Sequence, residues 1–301
     1  LSGHSKEVVK DSLLMIGLFF LLLVLLPLLI LVIWFLPLPF MMLTAKHRWS
    51  VVAPLVLLFG LLIYIFPAFV LGLAFIGAIG LTMGYLYRQE QSTGTDVVSG
   101  GIIAGFISSW IVMGLGQVLF NFIDQIRLFW QQVISTAEQL LQRTGVPSVE
   151  LLFPPGETLV LPFLFLIIVP MVFLTYWIAN KWLIRRGFQG KFLPPFWSWR
   201  LPRSFFYFFG LTFIVLALIG EEKTNSIINL IIGAMQVLLM LFAVQGCSFI
   251  AFFLQQRQKS MAWLALPIVI IFTPFSILVQ LLGMMDTGFN LRERISNKDK
   301  E

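Results

Sequence analysis

The chain has 301 residues, of which 59% are hydrophobic and only 11% charged, with a net charge of +6. Soluble domains carry about 25% charged residues, so lipid rather than water must be the solvent for much of this surface. The modest positive excess suits loops facing an anionic leaflet and gives no ground for nucleic-acid binding. The single cysteine, Cys247, excludes an intrachain disulfide and a Cys-based zinc cage, and the two histidines, His4 and His47, stand far apart.

Residues 1–11 read as a polar tail. Ser12 to Trp34 reads as a first span with a kink at Pro27. It is longer than the roughly 7–15 apolar residues of a cleavable signal and is expected to be retained. The stretch Leu36 to Trp49 follows. Pro37 and Pro39 fence its start, and Lys46, His47, Arg48 and Trp49 fence its end. It is too short for an ordinary span and too apolar for an ordinary loop. A short broken helix that crosses, or a re-entrant piece, both fit, and either needs protein around it.

Ser50 to Phe66 and Ala68 to Tyr87 read as two spans joined by a tight turn. Val97 to Phe120 is the next. Gly80 and Gly84, then Gly101 and Gly105, form small-xxx-small steps that let helices approach closely. They serve packing within the chain or docking of a partner. From Asn121 to Arg143 apolar residues recur at steps of three and four among Asp, Gln and Arg, the pattern of an amphipathic helix at the interface. Glu157 to Trp182 is a span. A loop follows in which Arg185, Arg186 and Arg200 interleave with Trp197 and Trp199, the composition of a cytoplasmic headgroup belt. Phe205 to Gly220, Asn225 to Phe253 and Met261 to Leu282 complete the series, and residues 284–301 read as a polar tail. The expectation is all-α: a polytopic membrane helix bundle of eight long spans plus one short Pro-flanked helix, with an interfacial amphipathic helix. Its organisation is a tail (1–11), N-terminal helices (12–120), an amphipathic connection (121–156), C-terminal helices (157–283) and a tail (284–301).

Basic residues orient such a bundle. If the short segment crosses, 13 of the 20 Lys and Arg residues fall on the side of the N-terminus and the basic loop. The other seven, those of the C-terminal tail among them, fall opposite. Without the crossing the split is 11 to 9. The count favours a crossing and a cytoplasmic N-terminus. Lys46, Arg48, Arg185, Arg186, Trp197, Trp199 and Arg200 are then the membrane-interface residues.

Polar groups in hydrocarbon are costly, which makes each a candidate for function. Gln117, Asn121 and Asp124 stand at steps of four and three and share a helix face near the outer end of a span. Gln236 lies near the middle of its own. These four are the candidate ligand-binding residues, whereas Gln245 and Gln280 suit interhelical packing. Glu221 and Glu222 are adjacent rather than opposed, so they do not form a general acid–base pair. H-E-x-x-H, G-x-S-x-G and P-loop patterns are all missing. The sequence therefore predicts no enzyme, no cofactor and no metal site.

The run Phe35-Leu36-Pro37-Leu38-Pro39-Phe40 with Ala45-Lys46-His47, and the ending Gly283-Met284-Met285-Asp286-Thr287-Gly288-Phe289-Asn290-Leu291-Arg292, resemble the YybS-like family of bacterial membrane proteins. Gly288 departs from that family's usual aromatic residue after Asp-Thr. The resemblance implies a multi-pass protein of a bacterial plasma membrane. It also implies a distant similarity to the substrate-binding S components of energy-coupling-factor transporters, which begin with a full span, a short second helix and a turn. Those proteins capture a small molecule and dock on a separate ATP-driven module. Here the first span presents Leu14, Gly17, Phe20 and Leu21 where S components carry spaced alanines. Two functions are thus expected: an S-component-like binder serving ATP-driven uptake, or a non-transporting scaffold that docks other membrane proteins.

Overall fold

A computed structural model describes residues 3–25, 30–47, 67–142, 156–219, 226–271, 273, 275–289 and 291–298. Among them every regular element is a helix. The chain divides into two compact units. The first comprises Leu1–Val149 and Leu164–Leu193, the second Glu150–Phe163 and Pro194–Glu301.

The first unit opens with α1 (Gly3–Leu25) and a 3-10 turn (Ile30–Phe35), followed by the short α2 (Leu38–Lys46). Pro39 lies in the first turn of α2, where a missing N–H leaves no hydrogen bond unmade. Every residue of α2 from Leu38 to Ala45 is buried, as a helix apolar all round requires. α1 runs antiparallel to it: Phe19 meets Phe40 edge-on at 5.4 Å, and Asp11 meets His47. On its other side α2 runs alongside α3 (Pro67–Arg88). Two glycines allow this. A Cβ on Gly80 would stand 2.5 Å from the Pro37 carbonyl oxygen, and one on Gly84 2.5 Å from that of Met41.

Thr93 and Asp96 close a capping box at the start of α4 (Gly94–Phe120). Asn121 ends α4 in the left-handed conformation, φ 52°, and the chain turns there into the amphipathic α5 (Phe122–Gln142). α6 (Val160–Arg185) returns antiparallel to α4. Gly101 faces Met83 and Val172, and Gly105 faces Ile168. Met41, Ile79, Met83, Val97 and Met171 form the core between these helices.

The second unit holds the 3-10 turn Gly156–Leu159, the extended segment around the turn Phe196–Ser198, α7 (Arg203–Ile219) and α8 (Ser226–Gln256). A 3-10 turn (Met261–Leu264), α9 (Ala265–Ile271), α10 (Ser276–Phe289) and α11 (Leu291–Lys298) follow. α10 crosses α8 where Gly246 and Gly283 meet. A Cβ on Gly283 would fall on the Phe242 carbonyl, and one on Gly246 on the Val279 carbonyl.

The described residues do not support the expected eight long spans. Four described helices are long and apolar enough to cross a membrane: Leu71–Arg88, Gly94–Phe120, Val160–Arg185 and Ile227–Gln256. A fifth is reached if Met261–Ile271 and Ser276–Phe289, bent by 115°, count together. The shortfall has local causes. Glu7, Lys10 and Asp11 occupy the first turns of α1, and the expected continuation to Trp34 is a separate 3-10 turn. α7 has 17 residues, about 26 Å of helix against a hydrocarbon core of about 30 Å. The last span is broken into α9 and α10. The expected span Ser50 to Phe66 lies outside the described residues.

Candidate functional site

Among the described residues, the buried ionisable side chains gather in two places. In the first unit Asp11 of α1 faces the C-terminal end of α2. Its Oδ2 takes the Lys46 ammonium and lies 3.1 Å from His47 Nε2. Arg88, at the end of α3, donates from Nη1 to the His47 carbonyl at 2.8 Å. Burial pushes the Asp11 carboxyl up, but hydrogen bonds and charge from Lys46 and His47 outweigh it and hold the group below the ordinary carboxylate range. One carboxylate thus joins α1 to α2, and α2 is tied to α3 through its last carbonyl.

The same end of the unit carries a second set of polar contacts. Tyr87 donates to Asn180 Oδ1 at 2.7 Å. The Lys191 ammonium caps the Gln89 and Ser92 carbonyls, its backbone N–H donates to Asn180 Oδ1 at 3.2 Å, and its carbonyl accepts from Tyr176. Burial lowers the Lys191 pKa. The segment after α6 is thereby fastened to the connection between α3 and α4.

In the second unit the centre is Arg292, 2% exposed. Nε donates to Asp286 Oδ2 at 2.9 Å, Nη1 to the Trp197 carbonyl at 2.6 Å and Nη2 to Ser248 Oγ at 3.0 Å. Gln245 Nε2 donates to the same Asp286 oxygen at 2.6 Å, while its Oε1 accepts from the Leu201 N–H at 3.1 Å. Ser248 Oγ lies 2.8 Å from the Phe196 carbonyl. The guanidinium also stands over the Phe249 and Phe252 rings at 5.9 and 5.4 Å. A buried guanidinium is tolerable only with such a set of acceptors. The extended segment 196–201 supplies carbonyls and an N–H because, apart from one 3-10 turn, it makes no helix that would use them.

The expected ligand residues sit elsewhere. Gln117 donates to Asp124 at 3.2 Å, and Asp124 pairs with Arg127 at 3.4 Å. Asn121 and Asp124 are exposed at the junction of α4 and α5 and Gln117 is half-buried, so Gln117 and Asp124 meet across that junction. Gln236 is half-buried on α8, in the other unit. Gly80, Gly84, Gly101 and Gly105 all face helices of their own chain. Of the interface residues, Arg185 is exposed and Arg186 stands over the Trp182 ring at 5.0 Å. Trp199 Nε1 donates to the Pro194 carbonyl at 2.8 Å, and Arg200 pairs with Glu293 at 3.0 Å. Arg48 lies outside the described residues. Sequence reasoning passed over Asp11, Asn180, Ser248, Asp286 and Arg292. The available signal was a carboxylate and a guanidinium six residues apart, just after a glycine that ends an apolar run.

No group of three or more His, Cys, Asp or Glu among the described residues is placed to hold a metal ion. The arrangement offers structural ion pairs and hydrogen bonds.

Comparison with known proteins agrees with this membrane character. Residues 14–287 match a family described as predicted membrane protein (DUF2232). The uncharacterized protein YybS of Bacillus subtilis (strain 168) is 25% identical over 278 residues, which cover 86% of this chain and 88% of that protein. No solved structure matches. A match over nearly the whole length, joined to an all-helical structure with several apolar helices, means that this chain is an integral membrane protein of the DUF2232 family.

Proposed function

We propose that this protein is a small-molecule binder of a bacterial plasma membrane, similar to transporter S components, serving uptake driven by a separate ATP-using module. One observation carries the reading: α2, only nine residues long and wholly buried from Leu38 to Ala45, is inserted between α1 and α3. That is the opening expected from the resemblance, a long helix followed by a short second one. Gln117, Asn121 and Asp124 on the first unit, and separately Gln236 on the second, remain the proposed ligand contacts. Purification from native membranes in mild detergent, with mass spectrometry of everything retained, tests the reading. ATPase subunits with a membrane coupling protein, or a recurrent metabolite, are the expected result. Asn121→Leu and Gln236→Leu should then abolish stabilisation by that metabolite while the apo protein still folds. Recovery of neither ATPase nor metabolite, with a metabolite panel giving no thermal shift, would overturn it.

The exposed apolar residues of α5, Leu128 and Phe129, favour a second reading, a scaffold that docks other membrane proteins. Reproducible recovery of envelope proteins without ATPase or metabolite is its expected result.

A further inference from the structure

The packing directions fix which helix ends lie together. In the first unit Asp11, Lys46, Arg88 and Lys191 meet at one end, so the start of α1, the ends of α2, α3 and α6, and the start of α4 share it. α4 then runs 27 residues, about 40 Å, to the other end, where α5 carries Arg127. Between Arg185 and Arg203 the chain holds only a 3-10 turn and no apolar run able to cross. In the second unit α7 begins directly after the 196–201 segment, with only Pro202 between them. α8 runs back to that side: its residues Gln245 and Ser248 bond the 196–201 segment, and Gln256 lies eight residues beyond.

What remains is the C-terminal pair. It leaves from the end of α8, and the question is where it finishes. Had it crossed, α11 would lie near the start of α8, around Asn229, about 28 Å of helix from Ser248. Instead Arg292 bonds Ser248 and the Trp197 carbonyl, and Glu293 pairs with Arg200. α9 and α10 have seven and 14 residues, about 10 and 21 Å, each shorter than the hydrocarbon core.

We propose that Met261–Phe289 is a re-entrant hairpin that enters and leaves from the face bearing the basic loop. The end of α8 and the start of α11 then lie on one face of the second unit, whose partner is the anionic headgroup layer of the cytoplasmic leaflet. Arg200, Arg203, Arg257, Lys259 and Arg292 of that unit all fall on this face. The C-terminal charges thereby join the basic residues of the 196–203 segment and of the end of α8, as a cytoplasmic face requires. The proposal is independent of any small-molecule ligand.

The test is membrane-impermeant maleimide labelling of single cysteines in the full chain, on a Cys247→Ala background, in right-side-out and inside-out vesicles. The exposed positions Lys259 and Glu293, which flank the pair within the second unit, are used. Lys259→Cys and Glu293→Cys should both label only in inside-out vesicles. Glu293→Cys labelled from the side opposite to Lys259→Cys would make the pair a broken transmembrane span and overturn the hairpin. Lys259→Cys labelled from outside would overturn the leaflet assignment. A C-terminal reporter decides if Glu293→Cys resists labelling. Green fluorescence, which needs the cytoplasm, supports the hairpin, and activity of a fused alkaline phosphatase, which needs the exterior, overturns it.

Discussion

The two buried ion clusters use one carboxylate each but differ in how they close. In the second unit Asp286 and Arg292 come from adjoining helices only six residues apart, and both are almost wholly enclosed. Arg292 meets the carboxylate, a serine and a main-chain carbonyl. In the first unit Asp11 reaches across 36 positions to His47, and the Lys46 side chain keeps 18% of its surface exposed. The first cluster has an edge on water, where a long side chain can re-solvate its charge. The second has no such outlet, so its charges depend on one another. The difference teaches that a carboxylate–cation pair is interchangeable in composition but not in consequence; what surrounds it sets the cost of breaking it.

The largest effect should come from Arg292→Met, which strands the Asp286 carboxylate. We expect a loss of about 3–5 kcal/mol, read as a lower thermal midpoint in detergent. Adding Asp286→Leu should restore much of it, since no charge is then left buried alone. A double variant as unstable as the single one would show that the network contributes more than neutralisation. Asp11→Asn should cost less, about 1.5–3 kcal/mol, because Lys46 can turn to solvent. If it matches Arg292→Met, the contrast between the clusters fails.

The first cluster also has a pH signature. The folded Asp11 carboxyl titrates below its ordinary value of 3.8. Its contribution to stability is therefore complete above that value and is lost as pH falls through the lower, folded one. Thermal midpoints measured from neutral to acidic pH should fall there in the parent and fall less steeply in Asp11→Asn. Gly84→Ala should cost about 1–3 kcal/mol by pressing a methyl on the Met41 carbonyl and moving α2 off α3. Glu293→Gln removes an exposed partner of Arg200 and should change stability by less than about 1 kcal/mol.

Much of the helical framework was legible. Gly80, Gly84, Gly101 and Gly105 stand at spacings that bring one helix face against another, and α5 shows its polar and apolar sides as a period near 3.6. Span number was less legible. Phe205 to Gly220 already reads as short, but hydropathy does not register that the apolar run from Met261 to Phe289 is bent by 115°. The clusters were least legible of all. Asp286 and Arg292 read as part of a polar tail because their solvent is protein, supplied by Gln245, Ser248 and the carbonyls of a segment some ninety residues earlier. Gln117 and Asp124 illustrate the opposite case: their spacing did bring them together, but on a surface.

From the sequence alone come the membrane as solvent, the all-helical class, the short Pro-flanked segment and the amphipathic break after Asn121. Those follow from local composition and period, which each segment carries within itself. Tertiary structure alone decided which polar groups are buried and paired, and which helix ends share a face. Such outcomes depend on long-range contacts. A carboxylate at position 11 becomes part of an ion cluster only when position 47 is placed beside it, and no window along the chain contains both.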